Sequence, residues 1–210
     1  MKKSSLILGT GVIITASLAL AQTSFAKDTT GQVTYQTGGV ILDPDPEVGE
    51  VGVSLPTDLN FGSHQIQTKK DETLVATVDG NQTSALTKGA VRVRDNRGDT
   101  TPIGWNIKVK QATQFTSVDS AKLLSGAQLS ITTNPTISNS FNTTTGLTAQ
   151  TNLVFDEIDE EKSIFSASAG NGNGESTLNL EKFQLDVAKN NQKVKEKYQT
   201  TLVWTISETP

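Results

Sequence analysis

The chain has 210 residues, a formal net charge of −4 and no cysteine, which excludes disulfides, thiolate metal sites and a lipid-modified N-terminal cysteine together. A single histidine, His64, leaves little for a zinc site or a Ser-His-Asp triad, and no Gly-x-Ser-x-Gly elbow accompanies it. The acidic balance does not suit a nucleic-acid ligand.

In chain order, Met1-Lys2-Lys3 is positive, residues 6–20 are apolar apart from Gly, Thr and Ser, and Ser24-Phe25-Ala26 places small residues at −3 and −1. Residues 1–26 therefore read as a secretory signal peptide cut after Ala26. The apolar run of 15 residues is shorter than the ~20 that a membrane-spanning helix needs. Loss of this leader removes two lysines and leaves 16 basic and 22 acidic side chains on 184 residues, a net charge near −6. That length suffices for one sizeable domain held by its core. No second hydrophobic stretch follows, so the processed protein is expected to have no membrane span and no covalent wall anchor. If it stays on the cell that made it, a folded surface must hold it non-covalently.

Residues 27–50 are rich in Gly, Thr and acids, include Asp43-Pro44-Asp45-Pro46, and read as an N-terminal arm, partly ordered. From residue 51 to 210 short β-branched runs recur at 51–55, 73–78, 90–94, 105–110, 128–131, 147–153, 163–167, 177–180, 183–187 and 198–207. Turn signals such as Asp79-Gly80-Asn81, Asp95-Asn96-Arg97-Gly98 and Gly170-Asn171-Gly172-Asn173-Gly174 separate them. Only residues 117–124 hint at a helical turn or two. Half-polar strands at this spacing predict an all-β fold, an antiparallel β-sandwich or barrel-like single domain with long loops.

The two tryptophans stand in matching frames, Gly104-Trp105-Asn106-Ile107 and Leu202-Val203-Trp204-Thr205-Ile206. Alternation in a strand puts Trp105, Ile107 and Val109 on one face, and Leu202, Trp204 and Ile206 on one face of the other. Two readings stay open. In one, these are core tryptophans; in the other, an indole stacks on the C–H face of a sugar and its N–H bonds a hydroxyl. Gly104 allows close backbone approach beside Trp105.

These residues resemble the WxL-domain family of cell-surface proteins of low-GC Gram-positive bacteria. The run from Tyr198 through Thr200-Thr201-Leu202-Val203-Trp204-Thr205-Ile206 to Pro210 is similar to that family's terminal signature, and Trp105-Asn106-Ile107 to its first Trp motif. Val93-Arg94-Asp95-Asn96-Arg97-Gly98, Leu59-Asn60-Phe61-Gly62 and Leu124-Ser125-Gly126-Ala127-Gln128-Leu129 add to the likeness, which spans about Gly39 to Pro210. Ile107 and Ile206 replace the usual Leu or Val, which keeps apolar volume. The resemblance implies secretion, non-covalent attachment to the cell wall through peptidoglycan, and display with partner surface proteins from the same gene cluster. It carries Trp105, Ile107, Trp204 and Ile206 over as the peptidoglycan-binding motif. The alternative is a protein–protein interaction module, for host matrix or a partner surface protein, kept on the wall indirectly.

Polar and basic support for such a motif is expected from Lys108, Lys110, Arg94, Arg97, Lys195, Lys197 and Tyr198, through contact with anionic wall groups. The same cations also suit strand edges guarded against aggregation. The acidic run from Asp156 to Glu161 lacks the glycine and ligand alternation of a calcium loop and reads as a solvated connection. Asp43, Asp45 and Glu47 share that ambiguity. The glycines of residues 170–174 precede a strand, so an inter-strand loop is expected there sooner than a phosphate cradle. No cofactor, no metal and no enzymatic role are expected.

Overall fold

The computed structural model describes residues 40–43 (as backbone), 55–56, 58–98 and 101–208. All lie within one compact unit, Thr37–Pro210. The leader, most of the arm and residues 51–54 of the first expected strand fall outside the described residues.

Among the described residues twelve strands, all paired antiparallel, form two main sheets and a short ribbon. In the first, β1 (Val40–Asp43), β3 (Gly89–Asp95), β10 (Gly174–Val187), β6 (Gln128–Asn139) and β8 (Asn152–Phe155) lie in that order. The far half of β10 also pairs with β2 (Glu72–Val75). The second sheet runs β12 (Leu202–Ser207), β4 (Trp105–Gln111), β9 (Lys162–Ala167) and β7 (Leu147–Ala149). A short ribbon of β5 (Thr116–Ser117) on β11 (Tyr198–Gln199) stands apart.

Alternation builds the layers. Val91 and Val93 of β3, Leu129 and Ile131 of β6, and Leu178, Leu180, Phe183 and Leu185 of β10 point inward from the first sheet. Trp105, Ile107 and Val109 of β4, with Phe165 and Ala167 of β9, point inward from the second, and all belong to one continuous buried cluster. That shared core makes the fold an antiparallel sandwich. Each large side chain sealed in it stabilises by roughly 1.5–3 kcal/mol.

The expected strands at 177–180 and 183–187 are one strand, β10. Its inward residues change from even to odd numbers across Glu181-Lys182, where the register against β6 slips. A bulge, not a turn, causes the break in the apolar pattern. The expected strand at 147–153 is two, β7 and β8, in different sheets. The one at 198–207 is likewise β11 and β12. Residues 117–124 contain no helix: β5 runs into a turn at 118–120 with one backbone bond from Ala121 to Ser117, and Thr116 then bridges Leu123. Ala121 is left-handed at φ 55°, which stops the turn from continuing as a helix.

Candidate functional site: two tryptophan frames on one strand pair

The two Trp frames, about a hundred residues apart in sequence, are neighbours in space. β12 lies directly on β4 with Trp204 opposite Val109, Ile206 opposite Ile107 and Leu202 opposite Gln111. Residues facing each other across an antiparallel pair project to the same side, so Trp105, Ile107, Trp204 and Ile206 all project toward the core. Trp105 and Trp204 stand at different heights, ~14 Å apart along the strand at ~3.4 Å per residue.

Their environments differ. Trp105 is fully buried, edge-on to Phe165 with centroids 4.9 Å apart and planes at 75°. Its Nε1–H donates to the Gly172 carbonyl at 3.1 Å, satisfying the one polar atom of the indole. Ile107 is equally sealed. Trp204 and Ile206, on a strand at the margin of the sheet, are only partly buried against the core. Trp204 thus stands at the margin of the sheet, while Trp105 shapes the sheet from within.

Two glycines make the Trp105 seat. Gly104 has φ +84°, and a Cβ there would lie 2.3 Å from the Ala167 carbonyl oxygen. Gly172, in the loop joining β9 to β10, has φ +92° and crosses so near the indole that a Cβ would lie 2.5 Å from Trp105 Nε1. That loop is the expected inter-strand loop, and its backbone covers Trp105.

The candidate cations are placed unequally. Arg97 is 8% exposed and forks onto Asp95, with Nε and Nη2 at 2.9 and 2.6 Å from its carboxylate oxygens, and it reaches the Gly104 carbonyl at 3.1 Å. The Asp95-x-Arg97 pair thus pins the chain just ahead of Trp105. Arg94 pairs with Glu175 across β3 and β10 at 3.1 Å. Lys108 and Lys110, on the outward face of β4, meet Glu161 at 3.5 Å and Asp159 at 2.7 Å. The Asp159 hydrogen bond and charge raise the Lys110 pKa above its ordinary value. Lys162 takes Asp156 and Glu160, and Asp156 is lowered and Lys162 raised by their mutual bond. The acidic run is therefore the counter-charge of three lysines on this sheet.

Lys195 and Lys197 are exposed, on the segment that leads into β11. Tyr198 packs against the core with its hydroxyl accepting the Val194 N–H at 2.9 Å. The structure brings this segment to the β5 turn: Glu196 accepts the backbone N–H of Ser120 at 2.9 Å and its hydroxyl at 3.0 Å, and Val118 N–H donates to the Lys197 carbonyl. The backbone bond from Ser120, before the others, lowers the Glu196 pKa. Two hollows flank this ribbon. One, of about 220 Å³, is lined by Lys122, Leu123 and the amides of Asn190, Asn191 and Gln192; the other, of about 300 Å³, by Thr113, Val118, Gln199, Thr200 and Thr201. Sequence reading passed over both. The only signals were an Asn-Asn-Gln run and a Gln-Thr-Thr run, unremarkable alone. His64, by contrast, holds the Phe61 carbonyl at 2.7 Å.

A cysteine-free, acidic β-sandwich organised around two Trp frames on one strand pair is a surface-domain architecture, with its signature residues serving the fold as well as its margin. The sequence model described as "WxL domain surface cell wall-binding" matches residues 23–210, and the chain belongs to the WxL domain family. The match extends upstream of the Gly39 at which the likeness was first legible. It is a secreted surface protein of the cell wall, and its domain binds that wall. No curated protein matches the chain.

Proposed function

We propose that the protein, freed of a leader at residues 1–26, attaches non-covalently to peptidoglycan through a single domain preceded by an arm at 27–50. There it serves as a structural or adhesive member of a surface complex with partner surface proteins. The observation that supports this reading is the register of β12 on β4, which unites the two family signatures on one strand pair and leaves Trp204 and Ile206 half-buried at its margin. A binding role asks only for a fixed surface with accessible apolar and hydrogen-bonding groups, and no catalytic constellation is invoked.

In this reading Trp105 and Ile107 act as positioning residues. They hold β4 flat against the core so that β12 and the ribbon beyond it keep their shape. The test is co-sedimentation of the purified, exported protein with washed peptidoglycan from which phosphate polymers have been stripped. Saturable co-sedimentation is expected. Failure to sediment, with wall retention lost in cells that lack a partner surface protein, would overturn the reading in favour of indirect attachment through that partner.

A further inference from the structure

The lysines of this domain differ in their partners. Lys88, Lys108, Lys110, Lys162 and Lys193 each sit on a named carboxylate, and Lys182 bonds the Gln184 amide. Lys69, Lys70 and Lys189 have no side-chain partner among the described residues, and neither do Lys122, Lys195 and Lys197, which gather around the β5–β11 ribbon. The acids on the same ribbon are Asp119 and Glu196, and Glu196 is already engaged by Ser120. Val118 and Leu123 are 54% and 55% exposed on the same ribbon, between the two hollows.

Two amide atoms near this ribbon lack a partner, one of them at a hollow. Gln111 is fully buried beside the threonine-lined hollow. Its Nε2 donates to the Thr113 carbonyl at 3.0 Å and to Thr200 Oγ1 at 3.2 Å, while its Oε1 has no hydrogen-bond partner among the described residues. The amide cannot be turned over to repair this, because the Thr113 carbonyl only accepts. At the other hollow the buried Nδ2 of Asn191 likewise lacks an acceptor. A buried unpaired amide atom costs about 1–3 kcal/mol unless something meets it, and of these two residues Asn191 lines a hollow.

We infer that the β5–β11 ribbon with its two flanking hollows is the surface that grips the wall glycopeptide. The inference rests on the peptidoglycan reading above. Peptide and acetamido carbonyls supply the acceptor that Asn191 Nδ2 lacks. Val118 and Leu123 contact the apolar faces between them. Lys195, Lys197 and Lys122 face the free carboxylates of the stem peptides. The surface adjoins the Trp204 end of the strand pair, since Gln111 lies opposite Leu202.

The test compares the wild-type protein with K195Q/K197Q and with a control of equal charge loss elsewhere, K88Q/K182Q, on phosphate-stripped and unstripped walls. On stripped walls K195Q/K197Q is expected to raise half-saturation about fivefold, as for two rim charges, and the control to leave it unchanged. The difference should shrink in 0.5 M salt. An effect confined to unstripped walls would assign the lysines to phosphate polymers and overturn the carboxylate assignment. A soluble disaccharide-peptide from the stripped wall supplies a second readout. Its titration should shift the side-chain amide resonances of Asn190, Asn191 and Gln192, and unshifted resonances at saturation would remove the ribbon as the site. If the wild type does not bind stripped walls at all, the peptidoglycan reading itself fails, and this surface with it.

Discussion

Replacing Gly172 by alanine tests whether Trp105 is a core residue whose loss would mimic a binding defect. The position has φ +92°, and the added Cβ would lie 2.5 Å from both Trp105 Nε1 and the Ala167 side chain. The left-handed backbone costs an alanine about 1–2 kcal/mol. Relieving the overlap costs roughly 1–3 kcal/mol, and the Nε1–H bond to the Gly172 carbonyl is worth about 1 kcal/mol more. Loop movement recovers part of this, so a loss of about 2–4 kcal/mol is expected, or roughly 5–15 °C in Tm for a domain of this size. In a Trp204→Phe background Trp105 is the sole indole, and its fluorescence should move to the red and gain acrylamide quenching as the loop lifts. A Tm within a degree of the parent, with unchanged quenching, would refute the account of the Trp105 seat.

Three further outcomes follow from the same contacts. Trp105→Ala should cost about 3–5 kcal/mol in a denaturant titration, and Trp204→Ala about half as much because it is only partly buried; equal losses would contradict the placement of β12 at the margin. Asp95→Ala should cost roughly 3–5 kcal/mol by removing the carboxylate onto which the buried Arg97 forks, whereas Asp95→Leu with Arg97→Met should recover most of it; a double variant as unstable as the single would argue against a buried pair. Glu196 has a lowered pKa in the folded state, so its contribution is complete above the unfolded carboxyl value of ~4.3 and is lost as pH falls through the lower folded value. Tm measured from pH 6 to 3 should therefore fall less steeply for Glu196→Gln than for wild type, and parallel curves would show that the Ser120 contacts do not form.

The fold class was legible because period-2 alternation and turn residues are local. That Trp105, Ile107 and Val109 share a face followed from the same alternation, whereas their burial was decided by the packing of the second sheet on the first. What escaped was set by partners distant in sequence. Nothing near Arg97 marks it as bound to Asp95, or Lys110 to Asp159, so the ion pairs of these cations within the domain were not legible. The split of residues 198–207 depends on β5 and β4 claiming different halves of the run. The bulge in β10 was present in the spacing Leu178, Leu180, Phe183, Leu185, Val187, which departs from period 2 once, but a bulge and a turn look alike until the neighbouring strand is known. The hollows beside β5 join residues near 113–123 to residues near 190–201, a conjunction that no local pattern announces.

The pairing of β12 with β4 also has a consequence for the order of assembly. β4 emerges from the export machinery some ninety residues before its partner, and β9 lies midway between them. Until residues 202–207 arrive, one edge of β4 has unpaired backbone groups beside a side of Trp105, Ile107 and Val109. Such an edge is a template for pairing with another chain, and contacts this distant in sequence close slowly. A translocation arrest or proteolytic cut ahead of Leu202 would therefore produce an adhesive fragment, whereas the completed domain is protected by its own last strand.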